Sequence, residues 1–306
     1  MDDRSRPKVN WWQVIGWVVT ILALVFVGRW LLKLDHSVWQ SLRHLRVIWL
    51  VGSVLVFQVW FLLRYFAWEF IVQRHGSEAQ RHQTLKTWTL SELARYVPGN
   101  VWSFAAKYRG SVDGGAKPAA ALQALGIEGF SQMTGAAITA VLLYDVHHLW
   151  WIAVVILLIF PFLVPFLIQL LSKWKRWSEV PKISVLESLG LLLWYGVVWL
   201  VFGLATAMIY WSFPNVPVVT LLWLTGVNVA AWFIGYVTLI TPMGLGVREV
   251  AFVKLTARVI PNAMASLIAL VTRLWFVLSE IVFLGFVLIW SFMKNRQKTI
   301  VAEIHT

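Results

Sequence analysis

The 306-residue chain is 59% apolar and 13% charged, whereas a soluble domain carries roughly 25% charged residues. Cysteine is absent, which excludes disulfides, thiolate metal sites and a cysteine nucleophile. The net charge of +12, with 21 Trp, 18 Phe and 7 Tyr, suits an all-α polytopic membrane protein that places its basic residues on one side and its aromatic rings at both interfaces.

In chain order, residues 1–12 form a head with Arg4, Arg6 and Lys8, placed in the cytoplasm by its basic charge. A first span, Val14–Leu32, reads as a retained anchor, because no small-x-small cleavage site follows before Arg29-Trp30. The stretch Lys33–Arg46 is basic yet falls outside; its Leu34, Val38, Leu42 and Leu45 predict an amphipathic helix in the interface. Further stretches near the about 20 apolar residues that a spanning helix needs are Val47–Leu63, Ala119–Leu143, Leu149–Leu171, Ser188–Trp211, Val218–Ile240 and Ala263–Phe292. Arg74, Arg81, Lys86, Arg95, Lys107, Arg109 and Lys117 share one connecting segment, and Lys173, Lys175, Arg176 and Lys182 share another. Tyr144–His148 and Ser212–Pro217 hold no Lys or Arg, so the basic segments fall on the cytoplasmic side. The tail 294–306, with Lys294, Arg296 and Lys298, also belongs there, which seven simple crossings would not allow.

Two broken segments resolve the parity. Residues 84–110 follow a helical pattern, break at Pro98-Gly99-Asn100 and resume; residues 227–255 do the same around Pro242, Gly244 and Gly246, with a charged helix starting near Arg248-Glu249. Proline lacks a backbone donor and glycine admits dihedrals that other residues avoid, so each cluster interrupts a helix. Glu128 follows Pro98 by 30 residues, and Arg273 follows Pro242 by 31. Paired interruptions of this kind point to an inverted repeat with a binding site at its junction. The expected repeats are 84–145 and 226–292 of a single transmembrane domain. The expected topology is six full spans plus two re-entrant hairpins, or equally eight crossings, with both termini in the cytoplasm.

Charge inside the apolar stretches is sparse. No Asp, Glu, Lys or Arg occurs from Ser188 to Val247, after which Arg248, Glu249, Lys254 and Arg258 arrive together. Glu128 stands nearly alone in its span, and Arg273 and Glu280 alone in the last. An Arg or Asp at a membrane-helix centre costs about 2.5–3.5 kcal/mol on insertion scales, so such residues need partners or water. We expect Glu128 and Arg273 to face one another across the pseudo-twofold axis. Arg248-Glu249 also reads as a local ion pair closing the second hairpin, and Lys107 and Arg109 as positive-inside anchors.

The strings RYVPGNVWSFAAKYRG and TPMGLGVREVAF resemble the two signatures of the lysylphosphatidylglycerol synthase transmembrane-region family, also described as flippase-like membrane proteins. Pro98, Gly99 and Arg109 match the first; Pro242, Gly244, Gly246, Arg248 and Glu249 match the second. The resemblance covers roughly residues 47–292. The chain departs from it at Gly129, where family members often carry an Arg after the Glu. Ending at Thr306, it is expected to lack the aminoacyl transferase domain of bifunctional members. The resemblance implies a flippase-like transporter that moves a phospholipid or a polyprenyl-phosphate-linked headgroup between leaflets of the plasma (inner) membrane.

The residues suit that chemistry. Helix N-termini after Gly99, with Asn100 as a cap, and after Gly246 favour anions, and the planar fork of Arg248 binds two phosphate oxygens at once. The expected headgroup pathway is Arg248, Glu249, Glu128, Arg273, Lys107 and Arg109. The alternatives are an accessory membrane protein for an envelope glycosyltransferase or cell-envelope complex, and a small-solute or ion transporter. No cofactor, metal or nucleic-acid partner is expected: His147-His148 has no paired carboxylate, and no phosphate-binding loop or His-Glu-x-x-His occurs. Glu92, Glu128 and Glu249 are the carboxylates whose convergence would suggest an enzyme, but no catalytic spacing links them, and an enzyme is not expected.

Overall fold

The computed structural model describes residues 40–96, 101–144, 150–171, 182–214, 216–217, 219–238 and 244–304. Among the described residues all regular structure is helical: α1 (Val47–Arg74), α2 (Arg81–Ala94), α3 (Trp102–Asp113), α4 (Pro118–Tyr144), α5 (Trp150–Leu171), α6 (Val185–Trp211), α7 (Leu221–Val237), α8 (Val247–Thr256) and α9 (Asn262–Ile304). Among the described residues four stretches are long and apolar enough to cross a membrane: α1, residues Trp151–Leu170 of α5, α6, and residues Asn262–Lys294 of α9. The expected span Val14–Leu32, the break residues Pro98, Gly99, Asn100 and Pro242, and His147-His148 lie outside the described residues. The described part of Lys33–Arg46 holds a 3-10 turn at Ser41–His44.

Helix α9 runs to Ile304, past the expected end at Phe292, and two further segments differ from expectation for a physical reason. The apolar run of the second span ends at Leu63, yet α1 continues to Arg74. Its extra turns carry Arg64 and Glu69, and both are paired: Arg64 with Glu92, and Glu69 with Arg81 and the Tyr65 hydroxyl. A partnered charge does not have to leave the helix to find water. The expected apolar segment Val218–Ile240 gives a shorter helix, Leu221–Val237, started by the Thr220 side chain, which accepts from the Trp223 amide at 3.2 Å.

The helices pack with an internal exchange symmetry. Swapping α1 with α6, α2 with α7, α3 with α8 and α4 with α9 maps packing partners onto packing partners. Thus α4 packs on α7 as α9 packs on α2, α1 on α9 as α6 on α4, and α1 on α2 as α6 on α7. Helix α5, against α4 and α6, has no counterpart among the described residues.

Close approach rests on small residues, as is usual where lipid supplies no hydrophobic drive between helices. A Cβ at Gly135 would lie 2.9 Å from Tyr195 Cβ, and one at Gly226 would strike the backbone of Leu143 and Tyr144. Between α1, α6 and α9 the core is aromatic: Phe57, Trp60, Phe61, Phe202 and Phe276 meet with centroids 5.0–6.4 Å apart. Each such pair contributes about 0.5–1.5 kcal/mol beyond the burial itself. The guanidiniums of Arg64, Arg95 and Arg248 lie over rings of this cluster.

Candidate functional site

Helix α1 presents Arg64 from an otherwise uncharged run beginning at Val47. Its guanidinium lies over the rings of Trp60 and Trp88, at 4.9 and 5.4 Å, and donates to Glu92 at 2.6 and 3.3 Å and to the Gln132 amide oxygen at 3.2 Å. On α2, Glu92 is followed three residues later by Arg95, so the two share a helix face and pair at 2.7 Å. Lys107 of α3 bridges two carboxylates, Glu128 at 2.7 and 2.9 Å and Glu92 at 3.0 Å. Arg95 reaches Glu280 of α9 at 2.6 Å, and the Tyr96 hydroxyl donates to the same carboxylate at 2.6 Å.

Three cations and three carboxylates are thus threaded into one buried network, with Glu92 touching Arg64, Arg95 and Lys107. Desolvating an isolated charge costs several kcal/mol. Here every carboxylate has at least one cation within 3 Å, and the aromatic faces of Trp68 and Trp88 lie near Lys107. The network surrounds a cavity of about 110 Å³. Arg64, Glu92, Arg95 and Lys107 line one side of it, and Glu128, Gly129 and Gln132 of α4 another. Trp232, Gly235 and Tyr236 of α7, with Gly244, complete the wall. Trp232 and Tyr236 are one turn apart and stack at 5.2 Å with their planes 16° apart.

The second break forms a separate cluster. Gly244 has φ +67°, and a Cβ there would sit 2.6–2.7 Å from the Gly235 backbone, so only glycine lets the chain pass this close to α7. Gly246, at φ +82°, precedes α8, and its amide donates to Glu249 Oε2 at 2.7 Å. The other carboxylate oxygen of Glu249 meets Arg273 Nη1 at 3.4 Å. Glu249 and Arg273, with Arg248, Asn228 and Thr272, line a second, much smaller cavity of about 10 Å³.

The expected site residues therefore divide. Lys107 and Glu128 line the large cavity, while Arg248, Glu249 and Arg273 line the small one. Arg109 is exposed, because two residues along a helix from Lys107 is the opposite face. The expected facing of Glu128 and Arg273 is replaced by pairing within each unit: Glu128 meets Lys107 of α3, and Arg273 meets Glu249 of α8. In each case the partner is carried by the short helix that follows the break. Nor does Glu249 close on Arg248, since its oxygens go to Gly246 and Arg273. Of the three carboxylates considered together, Glu92 and Glu128 converge on Lys107, and Glu249 stands apart.

Sequence reasoning did not select Arg64, Arg95, Gln132, Trp232 or Tyr236. Arg64 carried a usable signal, a single charge in an apolar helical run. Arg95 was hidden among the basic residues of its connecting segment.

The architecture and site define a class: an all-helical, membrane-compatible protein with a cavity lined by charged side chains of α1–α4 and closed on one side by α7. No family model matches the chain, and no curated protein matches it in sequence.

Proposed function

We propose that the chain is a flippase-like transporter, moving a phosphate-bearing phospholipid or lipid-linked headgroup between leaflets of the plasma membrane. The observation that carries this reading is the cavity lined by Arg64, Arg95 and Lys107 together with Glu92 and Glu128, a buried ionic network whose charges Glu280 brings into balance. A phosphate entering it meets N–H donors that exchange one oxyanion partner for another, so the headgroup replaces its hydration without stranding a charge. The acyl or prenyl tails remain in the bilayer. The stacked Trp232 and Tyr236 provide an amphipathic wall along which the headgroup moves.

The topology of this reading is an inverted repeat of six full spans and two re-entrant hairpins, with both termini cytoplasmic. Helix lengths support it. At 1.5 Å per residue, α2, α3, α7 and α8 extend about 21, 18, 26 and 15 Å, all short of the roughly 30 Å hydrocarbon core. The exchange symmetry of the packing supports two equivalent units, and the signature-like strings around Gly99 and Gly244–Glu249 support the family resemblance.

The test is reconstitution of the purified chain into liposomes containing fluorescent phosphatidylglycerol, with lipid in the outer leaflet quenched chemically. The expected result is quenching of more than half the fluorophore, where protein-free vesicles stop at half. Quenching that stops at half rejects lipid movement. Uptake of a soluble anion by the same vesicles would then favour a small-solute transporter, and neither activity would favour an accessory role.

A further inference from the structure

The cluster beyond the second break holds a charge that the first does not. Arg248 is 92% buried, yet among the described residues no carboxylate lies within 4 Å of it and no acceptor takes its hydrogen bonds. Its guanidinium rests instead over Phe202 and Phe276, at 5.5 and 6.0 Å. Glu249, the carboxylate of the small cavity, already serves Arg273 and the Gly246 amide. Arg248 therefore keeps its positive charge inside the protein with no carboxylate within 4 Å among the described residues, a situation costing several kcal/mol unless an anion joins it. Further donors face the same space. Asn228 Nδ2 spends one hydrogen on the Leu224 carbonyl at 2.9 Å, leaving its second. The buried Thr272 hydroxyl has no hydrogen-bond partner among the described residues.

Size decides which anion fits. A cavity of about 10 Å³ accepts roughly one water-sized particle, too little for a phosphate ester. We infer that Arg248, Asn228 and Thr272 bind a single small monovalent anion of halide size, for which chloride is the natural probe. This site is separate from the headgroup cavity, and it stands or falls independently of lipid movement.

The experiment is thermal unfolding of the purified full-length chain in detergent, with chloride exchanged for gluconate at constant ionic strength. Chloride and bromide are expected to raise the midpoint by about 2–4 °C, saturating with concentration, while inorganic phosphate does not. Arg248→Met removes the charge but keeps an apolar side chain against the two rings, and is expected to abolish the chloride dependence. Should that variant fail to fold, Thr272→Val, nearly isosteric, is expected to raise the half-saturating chloride concentration about tenfold. Equal midpoints in chloride and gluconate for the unmodified chain would overturn the site. So would an undiminished chloride response in Arg248→Met, an unchanged half-saturation in Thr272→Val, or stabilisation by phosphate equal to that by chloride.

Discussion

Lys107 Nζ on α3 lies 2.7 and 2.9 Å from the two carboxylate oxygens of Glu128 on α4. In the other unit Glu249 on α8 meets Arg273 on α9 at 3.4 Å, the same construction with the charges exchanged. In both places the helix that follows a break is clamped to the long helix after it by one buried ion pair. The bond holds a short helix in position that its own length would leave marginal.

The first clamp predicts a strong, non-additive effect. Lys107→Met leaves Glu128 buried without its cation and is expected to cost about 3–5 kcal/mol. Adding Glu128→Met removes the stranded charge, while Glu92 keeps Arg64 and Arg95, so the double variant should recover at least about 1 kcal/mol relative to the sum of the singles. Denaturant unfolding in detergent reads all four corners of the cycle. Additive losses would show that the pair contributes no coupling.

The glycines of the second break should differ sharply from one another. Gly244→Ala combines a positive φ with a Cβ 2.6–2.7 Å from the Gly235 backbone, whereas Gly246→Ala has the positive φ but open space around it. The second should cost about 1–2 kcal/mol and still yield folded protein. The first should yield little or none. Gly126 lies within α4, with nothing near its would-be Cβ, so Gly126→Ala is expected to gain a few tenths to about 1 kcal/mol. Monodisperse yield and thermal midpoint rank the three, and a Gly244→Ala as stable as Gly246→Ala would contradict the close approach of α7.

Water access to the large cavity can be read chemically, since the chain has no cysteine of its own. Ser103→Cys lines the cavity, while Ala205→Cys is fully buried in α6. A membrane-impermeant thiol reagent applied to the protein in detergent should label the first at least tenfold faster, in line with thiolate access controlling reactivity. Equal, slow labelling of both would mean that the cavity excludes water and is no headgroup path.

One pH response comes from outside the spans. His75, at the end of α1, is 99% buried. Its Nδ1 faces the Ile71 carbonyl at 2.7 Å, and its Nε2 has no partner. Burial pushes its pKa below the usual histidine value, against the opposing pull of that carbonyl. The folded state therefore holds His75 neutral, while the unfolded chain takes up a proton near pH 6.5. Stability from this group is present above that pH and declines as pH falls below it. His75→Gln should flatten the fall in thermal midpoint between pH 7 and pH 5; an identical slope would assign the acid sensitivity elsewhere.

Much of the architecture was legible because hydrophobicity and chain-breaking are local properties. The apolar runs located α4, α5 and α6 to within a few residues and the start of α9 to within one, and the start of α8 at Val247 followed from glycine chemistry at Gly244 and Gly246. Isolated charges in apolar surroundings correctly marked Glu128 and Arg273 as buried. Their partners were not readable in the same way. Arg95 and Glu280 are 185 residues apart, and Arg64 and Gln132 are 68 apart, so nothing in the local pattern distinguishes one opposite charge from another.

The sequence by itself determined that this is a helical membrane protein with two interrupted segments and a few costly internal charges, because transfer from water and backbone freedom are set residue by residue. Only the tertiary structure decided which charges neutralise one another. It set five of them around the large cavity and left Arg248 without a carboxylate within 4 Å beside the small one. That choice depends on distances of a few ångströms between distant parts of the chain, and Coulomb attraction in a desolvated interior makes those distances decisive.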